Sequence, residues 1–277
     1  TYIQRNGEVF EYLTDEEKDV EQEIKNTEVE TADVADELER IVFDYVIKPR
    51  KIRYEENGQD YPFSKKLDDR LYGREYELAI HVVSPFHEHA DNVSSLQMRS
   101  MSRDELLVVM PANDRLTRDL LMYKRTEKYI RQNISITQQE AVKRILSDKG
   151  LQNCERYADL QRCIQDLMGK AKLFVGGTEI ESSSEDAQTR ILHGFHDLIS
   201  LTYPNLRMLP GVAYTENDIG KYLKHSQKGL FGNDGTTLSE PETEQLAFIQ
   251  SNKQAGVRTT LKSLLERFER KPYGWYY

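Results

Sequence analysis

The sequence predicts an α+β protein that is predominantly helical, with a small mainly antiparallel β subdomain and a C-terminal winged-helix-like segment. Three observations support this fold class. Residues 48–110 contain short alternating or continuous apolar runs, which are typical of strands. Residues 113–210 and the last third of the chain carry apolar residues at helical spacing. Near the end, a turn at Gly256 separates two predicted helices, which is the order of a helix-turn-helix.

Four segments follow from these patterns. We expect an acidic strand–helix segment that joins an upstream module (1–40), a β-rich subdomain (41–112), a helical subdomain with a short hairpin (113–210) and a truncated helical, winged-helix-like segment (211–277). The chain starts at Thr1 rather than Met, and its aromatic end, residues 275–277, is expected to lack packing partners. These ends predict an internal piece of a larger cytoplasmic protein.

The first two helices are predicted from their caps and spacing. A strand at 7–13 precedes Thr14, whose Thr-x-x-Glu pattern is a capping box that opens a helix running to about Asn26. A second acidic helix is expected from Thr31, because apolar residues follow at helical spacing. It leads into the apolar run 42–47.

Three strand signals lie in the β-rich subdomain. The dipeptide Asn57-Gly58 tolerates the two positive φ values of a tight turn, so the flanking runs predict a hairpin. Residues 78–83 alternate before Pro85, and the continuous apolar run 106–110 is suited to a buried strand.

The helical subdomain is predicted to begin with a helix capped by Asn113 or Asp114. A second capping box at Thr137 opens a long helix, which Gly150 splits in this interpretation and Gly169 ends.

A hairpin over 173–180 and an amphipathic helix over 191–199 complete that subdomain. A helix over 216–225, a Gly-rich loop over 229–235 and a helix capped by Ser239 follow. The final helix is expected to bury one face, formed by Leu261, Leu264, Leu265 and Phe268.

Charge is unevenly distributed along the chain. The formal net charge is −9, and residues 1–40 alone contain 14 Asp and Glu against 4 Lys and Arg. This acidity indicates either a solvated helix face or a docking surface for a basic partner. No apolar stretch is long enough for a membrane span and no signal peptide is evident, so we expect a cytoplasmic protein without a membrane partner. Cys154 and Cys163 lie nine positions apart on one predicted helix, too far apart to bond, and reduced thiols fit that compartment.

Motifs that carry catalysis or cofactor binding are missing or weak. The chain has no Gly-x-x-x-x-Gly-Lys-Ser/Thr phosphate loop and no Gly-x-Ser-x-Gly elbow, and the glycine-rich run 232–237 lacks the required lysine. The His-Glu-His run at 87–89, one strand-length after His81, could bind zinc, but an exposed polar loop is favoured. His193 and His196 share a helix face and are expected to flank the core. We therefore predict no catalytic, cofactor-binding or metal-ligating residue.

Two basic features are candidates for nucleic-acid or partner contact. One is a stripe on the helix that follows Asn113, where a solvated face or pairing between subunits is favoured over phosphate binding. The other is the start of the last helix, the position from which a helix-turn-helix reads a groove or docks on protein. The candidate contact residues are Arg118, Lys124, Lys128, Arg131, Arg258 and Lys262.

Seven strings spread over nearly the whole chain resemble one family. They are YLTDEEKDV (12–20), EIKNT (23–27), YPFSKKLD (61–68), MYKRTEKY (122–129), YPNLRML (203–209), RTTL (258–261) and FERKPYGW (268–275). They are similar to strings in the large P-loop ATPase of bacterial BREX phage-defence systems, the BrxC/PglY family. Such strings identify a relative and do not explain a mechanism.

The resemblance implies that an AAA+-type module lies upstream in a much longer protein and binds ATP and Mg²⁺. The family's nucleotide-binding residues have no counterpart in this chain, so no catalytic residue is carried over. The partners implied are the other BREX proteins, namely a methyltransferase, a phosphatase-like protein and small BREX subunits, together with DNA.

Two functional hypotheses follow. The first is a non-catalytic scaffold or coupling region of a BREX anti-phage defence ATPase, which mediates assembly with the other BREX proteins. The alternative is a DNA-contacting winged-helix-type module of the same complex. ATP hydrolysis by these residues alone is the least favoured reading.

Overall fold

The computed structural model describes residues 3–6, 9–12, 14–209, 220 and 238–275, with the backbone alone for the first two ranges. Within them the strands are β1 (Ile3–Asn6), β2 (Val9–Tyr12), β3 (Lys51–Arg53), β4 (Asp60–Pro62), β5 (Ser64–Leu67), β6 (Arg70–Tyr72), β7 (Ala79–Val83), β8 (Glu105–Val109), β9 (Lys172–Val175) and β10 (Thr178–Ile180). The α-helices are α1 (Asp15–Asn26), α2 (Thr31–Arg40), α3 (Val93–Ser100), α4 (Asp114–Asn133), α5 (Glu140–Gly169), α6 (Ala187–Thr202), α7 (Glu240–Gln254) and α8 (Leu261–Phe268). A π-helix spans Ile41–Ile47 and a 3-10 helix spans Pro204–Met208.

These elements confirm the predicted α+β class. Within the described ranges, every helix is too short or too polar to cross a bilayer. The predicted helix over 216–225, apart from Gly220, and the Gly-rich loop after it lie outside the described residues.

Six strands form one mixed sheet in the order β10-β9-β8-β7-β5-β6. Its centre is parallel, because β7 pairs in parallel with β5 on one side and with β8 on the other. Antiparallel neighbours flank this centre: β6 beside β5, and the β9–β10 hairpin beside β8. Three of the five pairings in this sheet are antiparallel, which fits the mainly antiparallel β structure that we expected; the parallel centre was not predicted. The hairpin that we placed in the helical subdomain belongs to the same sheet as the β-rich segment.

Both faces of the central strands are buried, which explains their continuous apolar runs. On one face, Ile80 and Leu106 belong to the main core, which the π-helix, α5 and α6 complete. On the other face, Val83 and Leu107 pack with Leu96 of α3. The short helix α3 was not predicted, because its sequence, VSSLQMRS, has few apolar residues to set a helical period.

Helices α4 and α5 form a long pair, and α1 packs on it through Val20 and Ile24. The predicted caps at Thr14, Asn113 and Ser239 are confirmed, since each belongs to a capping interaction at the start of its helix.

The predicted capping box at Thr137 was wrong. The Thr137 hydroxyl donates to the Asn133 carbonyl at 2.9 Å, so it satisfies the end of α4 instead. Helix α5 begins three residues later, without a side-chain cap, and continues through Gly150 to Gly169. Gly150 therefore does not split the helix.

The end of the described chain is packed, so our expectation that the final aromatic residues lack partners was wrong for Trp275. Its side chain is 1% exposed, and its ring stacks on Phe268 with centroids 4.9 Å apart. Tyr273 is also buried beside it. Residues 276 and 277 lie outside the described ranges.

Helix α8 follows the predicted buried face only in part, because Phe268 is buried but Leu261 is 73% exposed. The order of α7, turn and α8 is as predicted. The winged-helix-like character of this segment stays a prediction.

Candidate functional site

Charged and imidazole side chains gather on the face of the sheet that α3 covers. They come from β5, the β5–β6 turn, β7, the loop after β7, α3, the loop between α3 and β8, and the start of β8. We name them the acid–histidine cluster, and its members are Lys66, Asp69, His81, His87, Arg99, Arg103 and Glu105. The strand register assembles it, because Lys66 lies opposite His81 on the neighbouring parallel strand.

A buried histidine–glutamate pair forms the floor of the cluster. The His81 and Glu105 side chains are only 3% and 2% exposed. The Asp69 N–H donates to His81 Nε2 at 3.3 Å, so Nδ1 carries the ring proton and donates it to Glu105 Oε1 at 3.2 Å. Burial would raise the pKa of Glu105, but the His81 hydrogen bond and the charges of Lys66 and Arg103 hold it below its ordinary value.

The Asp69 carboxylate forms the outer side of the cluster. Its Oδ2 accepts from His87 Nε2 and from an Arg99 nitrogen, each at 3.1 Å. His87 is held in this tautomer because its Nδ1 accepts the His89 N–H at 3.0 Å. Burial would raise the pKa of Asp69, but these hydrogen bonds outweigh it and lower the pKa to about 2.

The turn that carries Asp69 has an unusual backbone. Asp68 and Asp69 have φ values of 48° and 66°, a region that residues other than glycine rarely adopt. Such conformations cost about 1–3 kcal/mol each and persist only where the surrounding structure holds them. Ser84 supplies part of that support, donating its N–H and its hydroxyl to the Asp68 carboxylate at 2.7 and 2.6 Å.

This arrangement does not fit a nucleotide phosphate. In open α/β sheets, nucleotides bind beyond the carboxyl ends of the parallel strands, where β5 and β7 end here. The Asp68 carboxylate already takes the Ser84 N–H and hydroxyl at that edge, and its negative charge repels phosphate. The sequence also lacks a Gly-x-x-x-x-Gly-Lys-Ser/Thr phosphate loop, and the expectation that this chain binds no ATP stays a prediction.

His87 is less exposed than we expected, whereas His193 and His196 flank the core as predicted. The His87 side chain is 7% exposed and bonded to Asp69, so residues 87–89 are not simply an exposed polar loop. In the part of the chain that the structure describes, no group of three or more His, Cys, Asp and Glu residues is arranged to hold a metal ion. His193 is exposed, and His196 donates to the Arg53 carbonyl at 2.9 Å beside the core.

The predicted basic stripe on α4 is partly engaged within the chain. Lys124 Nζ lies 3.1 Å from a Glu37 oxygen, and both side chains are largely buried. Lys128 donates to the Glu28 carbonyl at 2.8 Å. Arg118 and Arg131 are exposed at either end of the stripe. The four residues therefore do not present one continuous positive surface.

At the other basic feature, Arg258 and Lys262 are both exposed where α8 begins. Their role in contacting DNA or a partner stays a prediction.

The sequence analysis did not predict the acid–histidine cluster. One available signal was Glu105, a charged residue that opens an otherwise apolar strand. Another was the pair Asp68-Asp69 between two short strands. Nothing in the linear spacing places Arg99 beside Asp69, because that contact depends on the unpredicted helix α3.

The fold and the cluster define an α+β domain organised around a six-stranded mixed sheet. A family model described as "BREX ATP-binding protein BrxC 4th domain with six-stranded beta sheet" matches residues 27–198, which is more than half of the chain. The chain belongs to this family and is thus a component of a BREX defence system. All six strands of the sheet, from β5 to β10, lie within the matched residues. No solved structure matches the chain.

Proposed function

We propose that this chain is a non-catalytic scaffold or coupling region of a BREX ATPase and that it mediates assembly with other BREX proteins. Membership of the BrxC family supports this proposal, because the family model describes a domain of a BREX ATP-binding protein. The acid–histidine cluster supports a structural role, because its carboxylates and imidazoles bond to one another and to backbone groups. In this proposal ATP and Mg²⁺ act elsewhere in the longer protein. The methyltransferase, the phosphatase-like protein and the small BREX subunits are the partners to test.

An exposed apolar patch at one end of the sheet carries the proposal. Met98 and Met101 at the end of α3 are 70% and 65% exposed, and Leu201 near the end of α6 is 61% exposed. Met101 and Leu201 both lie over the glycine turn between β9 and β10, and Met98 is one helical turn before Met101. A Cβ on Gly177 would lie 2.3 Å from Met101 Cγ, and one on Gly176 would lie 2.8 Å from a Leu201 methyl. We name these five residues the methionine patch.

The methionine patch has the character of a docking surface. Contiguous exposed apolar side chains often mark the site at which a protein binds a partner. Methionine adapts its shape to different partners, since its side chain is unbranched and flexible. The backbone beneath is fixed, because the Gln97 amide donates to the Gly177 carbonyl at 2.7 Å. A partner would therefore meet adaptable side chains on a firm support.

Co-purification tests this proposal. The tagged chain is co-expressed with the other proteins of its BREX system, and we expect at least one of them to be retained. The double variant Met98→Asp, Met101→Asp should retain at least tenfold less of that protein. Leu151→Asp is a matched control, because Leu151 is 66% exposed on α5 outside the patch. Retention of no BREX protein by the unaltered chain would count against the proposal.

DNA contact is the second candidate function, and the exposure of Arg258 and Lys262 at the start of α8 favours it. Phosphate contacts make binding fall steeply with salt. A titration of duplex DNA with the chain, begun at about 50 mM salt, tests this candidate. Binding that is absent, or that Arg258→Ala and Lys262→Ala leave unchanged, would eliminate this candidate.

A further inference from the structure

The six methionines of the chain differ widely in exposure, and all of them lie within the described residues. Met98 and Met101 of the methionine patch are 70% and 65% exposed, whereas Met110 and Met168 are 2% and 0% exposed. The other two are partly buried and pack against apolar clusters, namely Met122 and Met208. The two methionines that a dissolved molecule reaches most readily therefore both belong to the methionine patch.

Exposure decides which methionine a dissolved oxidant attacks, because the sulfur and the oxidant must come into contact. A hydrogen peroxide molecule transfers one oxygen atom to a thioether. The sulfur lone pair attacks one peroxide oxygen, the O–O bond breaks and an S–O bond forms. The sulfur loses two electrons, and the proton on the transferred oxygen passes to the leaving oxygen, which departs as water. The product is methionine sulfoxide, which is polar.

Oxidation in the methionine patch changes the surface without disturbing the core. A sulfoxide disrupts packing where the methionine is buried, but Met98 and Met101 face solvent. Helix α3 is held on the sheet by Leu96, which is 3% exposed, and by the bond from the Gln97 amide to the Gly177 carbonyl. Neither contact uses a thioether, so we expect the oxidised chain to keep its fold.

We propose that Met98 and Met101 form a modification site for peroxides, and that their oxidation switches the methionine patch from an apolar to a polar surface. Control of docking by this site rests on the proposed function. The unoxidised patch binds a partner by burying apolar area, whereas the sulfoxides hold water that a partner must displace.

The choice of side chain supports a switch. Leucine would make an equally apolar surface, but it offers no oxidation chemistry. A thioether adds a change of polarity that is reversible, because methionine sulfoxide reductases restore the original side chain. The methionine patch thus combines exposure, apolar character and a reversible modification at the same two residues.

The two cysteines also react with peroxide, and Cys154 is exposed. A thiol reacts as its thiolate, and about pH 5 lies well below the usual thiol pKa of about 8.5. Burial raises the pKa of the Cys163 thiol above its ordinary value. A thioether has no such proton to lose. Peroxide treatment at about pH 5 therefore favours methionine over cysteine.

Peptide mass spectrometry of the whole chain after this treatment tests the site. Met98 and Met101 should be oxidised about tenfold faster, or more, than Met110 and Met168. Circular dichroism should stay the same when only the two patch residues are oxidised. Equal rates at all four methionines, or loss of the fold on oxidation of the patch, would overturn the proposal.

Retention of a BREX protein tests the switch. The oxidised chain should retain about tenfold less of that protein than the untreated chain, and the two classes of methionine sulfoxide reductase should restore retention. Met98→Leu, Met101→Leu is the matched control, because leucine keeps the patch apolar and is not oxidised. Retention by this variant should be the same before and after peroxide.

The outcomes separate this proposal from the proposed function. If peroxide leaves retention by the unaltered chain unchanged, docking stands and the switch is overturned. If the untreated chain retains no BREX protein, the proposed function fails. The relative rates of methionine oxidation then still confirm or overturn the modification site.

Discussion

Tyr61 and Gly274 are joined across 213 residues of the chain, because the Tyr61 hydroxyl donates a 2.8 Å hydrogen bond to the Gly274 carbonyl. Gly274 also lies flat on the ring of Tyr203, where a Cβ would come within 2.3 Å of the ring. The Asn205 N–H donates to the Pro272 carbonyl at 3.0 Å. These contacts fix the segment after α8 on the core beside β4.

The first prediction concerns Trp275, a buried residue of this segment. Trp275→Ala should lower the free energy of unfolding by about 3–5 kcal/mol, because it empties a packed position and removes the stack on Phe268. Tyr61→Phe should cost about 1–2 kcal/mol through the lost hydrogen bond. Urea denaturation measures both. Leu151→Ala, at an exposed position, should change stability little, and a similarly small effect for Trp275→Ala would contradict the packing described.

The second prediction concerns acid stability through Asp69. Its pKa of about 2 lies below the ordinary value of 3.8, so its stabilising effect is present above about pH 4 and is lost as the pH falls toward 2. Asp69→Asn should lower the free energy of unfolding at pH 7 by about 1 kcal/mol, a figure discounted because the side chain is 38% exposed. The substitution should also make the free energy of unfolding depend less on pH below about pH 4.

Unfolding curves recorded across the acid range check this outcome. The exposed Asp91, in the loop before α3, provides an Asp→Asn control. Equal effects of the two substitutions would show that the bonds from His87 and Arg99 do not stabilise the fold.

The third prediction concerns the bonds between Ser84 and Asp68. Ser84→Ala removes the hydroxyl bond and should cost about 1–2 kcal/mol. Asp68→Ala should cost more, about 2–3 kcal/mol, because it also leaves the buried Ser84 N–H without this acceptor. A double-mutant cycle should give a coupling of about 1 kcal/mol or more between the two residues. If the effects of the two single substitutions simply add in the double variant, the bonds between Ser84 and Asp68 do not stabilise the turn.

The sequence predicts best the elements whose signal is local. The capping box at Thr14 and the cap at Asn113 depend on residues within one helical turn, and both are confirmed. The β9–β10 hairpin was predicted for the same reason, from its two glycines. The position of this hairpin in the sheet was not predicted. It pairs with β8, which lies more than 60 positions earlier in the chain, and no local sequence pattern specifies a partner so far away.

The acid–histidine cluster shows the same limit more strongly. Its residues lie on β5, β7, α3 and β8 and in the turn and loops between them. The buried pair of His81 and Glu105 joins neighbouring strands, and the two residues are 24 positions apart. Capping and periodicity report on one element at a time. A cluster that forms only when parallel strands align therefore leaves only weak marks in the sequence, such as a lone glutamate beside an apolar run.

The fourth prediction applies one substitution at two positions of α5. A Cβ on Gly150 would meet no atom within 4 Å, whereas one on Gly169 would lie 2.5 Å from the Glu185 carbonyl oxygen. Gly150→Ala should raise the free energy of unfolding by about 0.5–1 kcal/mol, because alanine loses less conformational entropy in a helix. Gly169→Ala should lower it by about 1–3 kcal/mol, because the backbone must move. Thermal and urea unfolding of both variants measure the difference in sign. A destabilising Gly150→Ala would show that the helix is interrupted there, as the sequence alone had suggested, and not continuous as the structure has it.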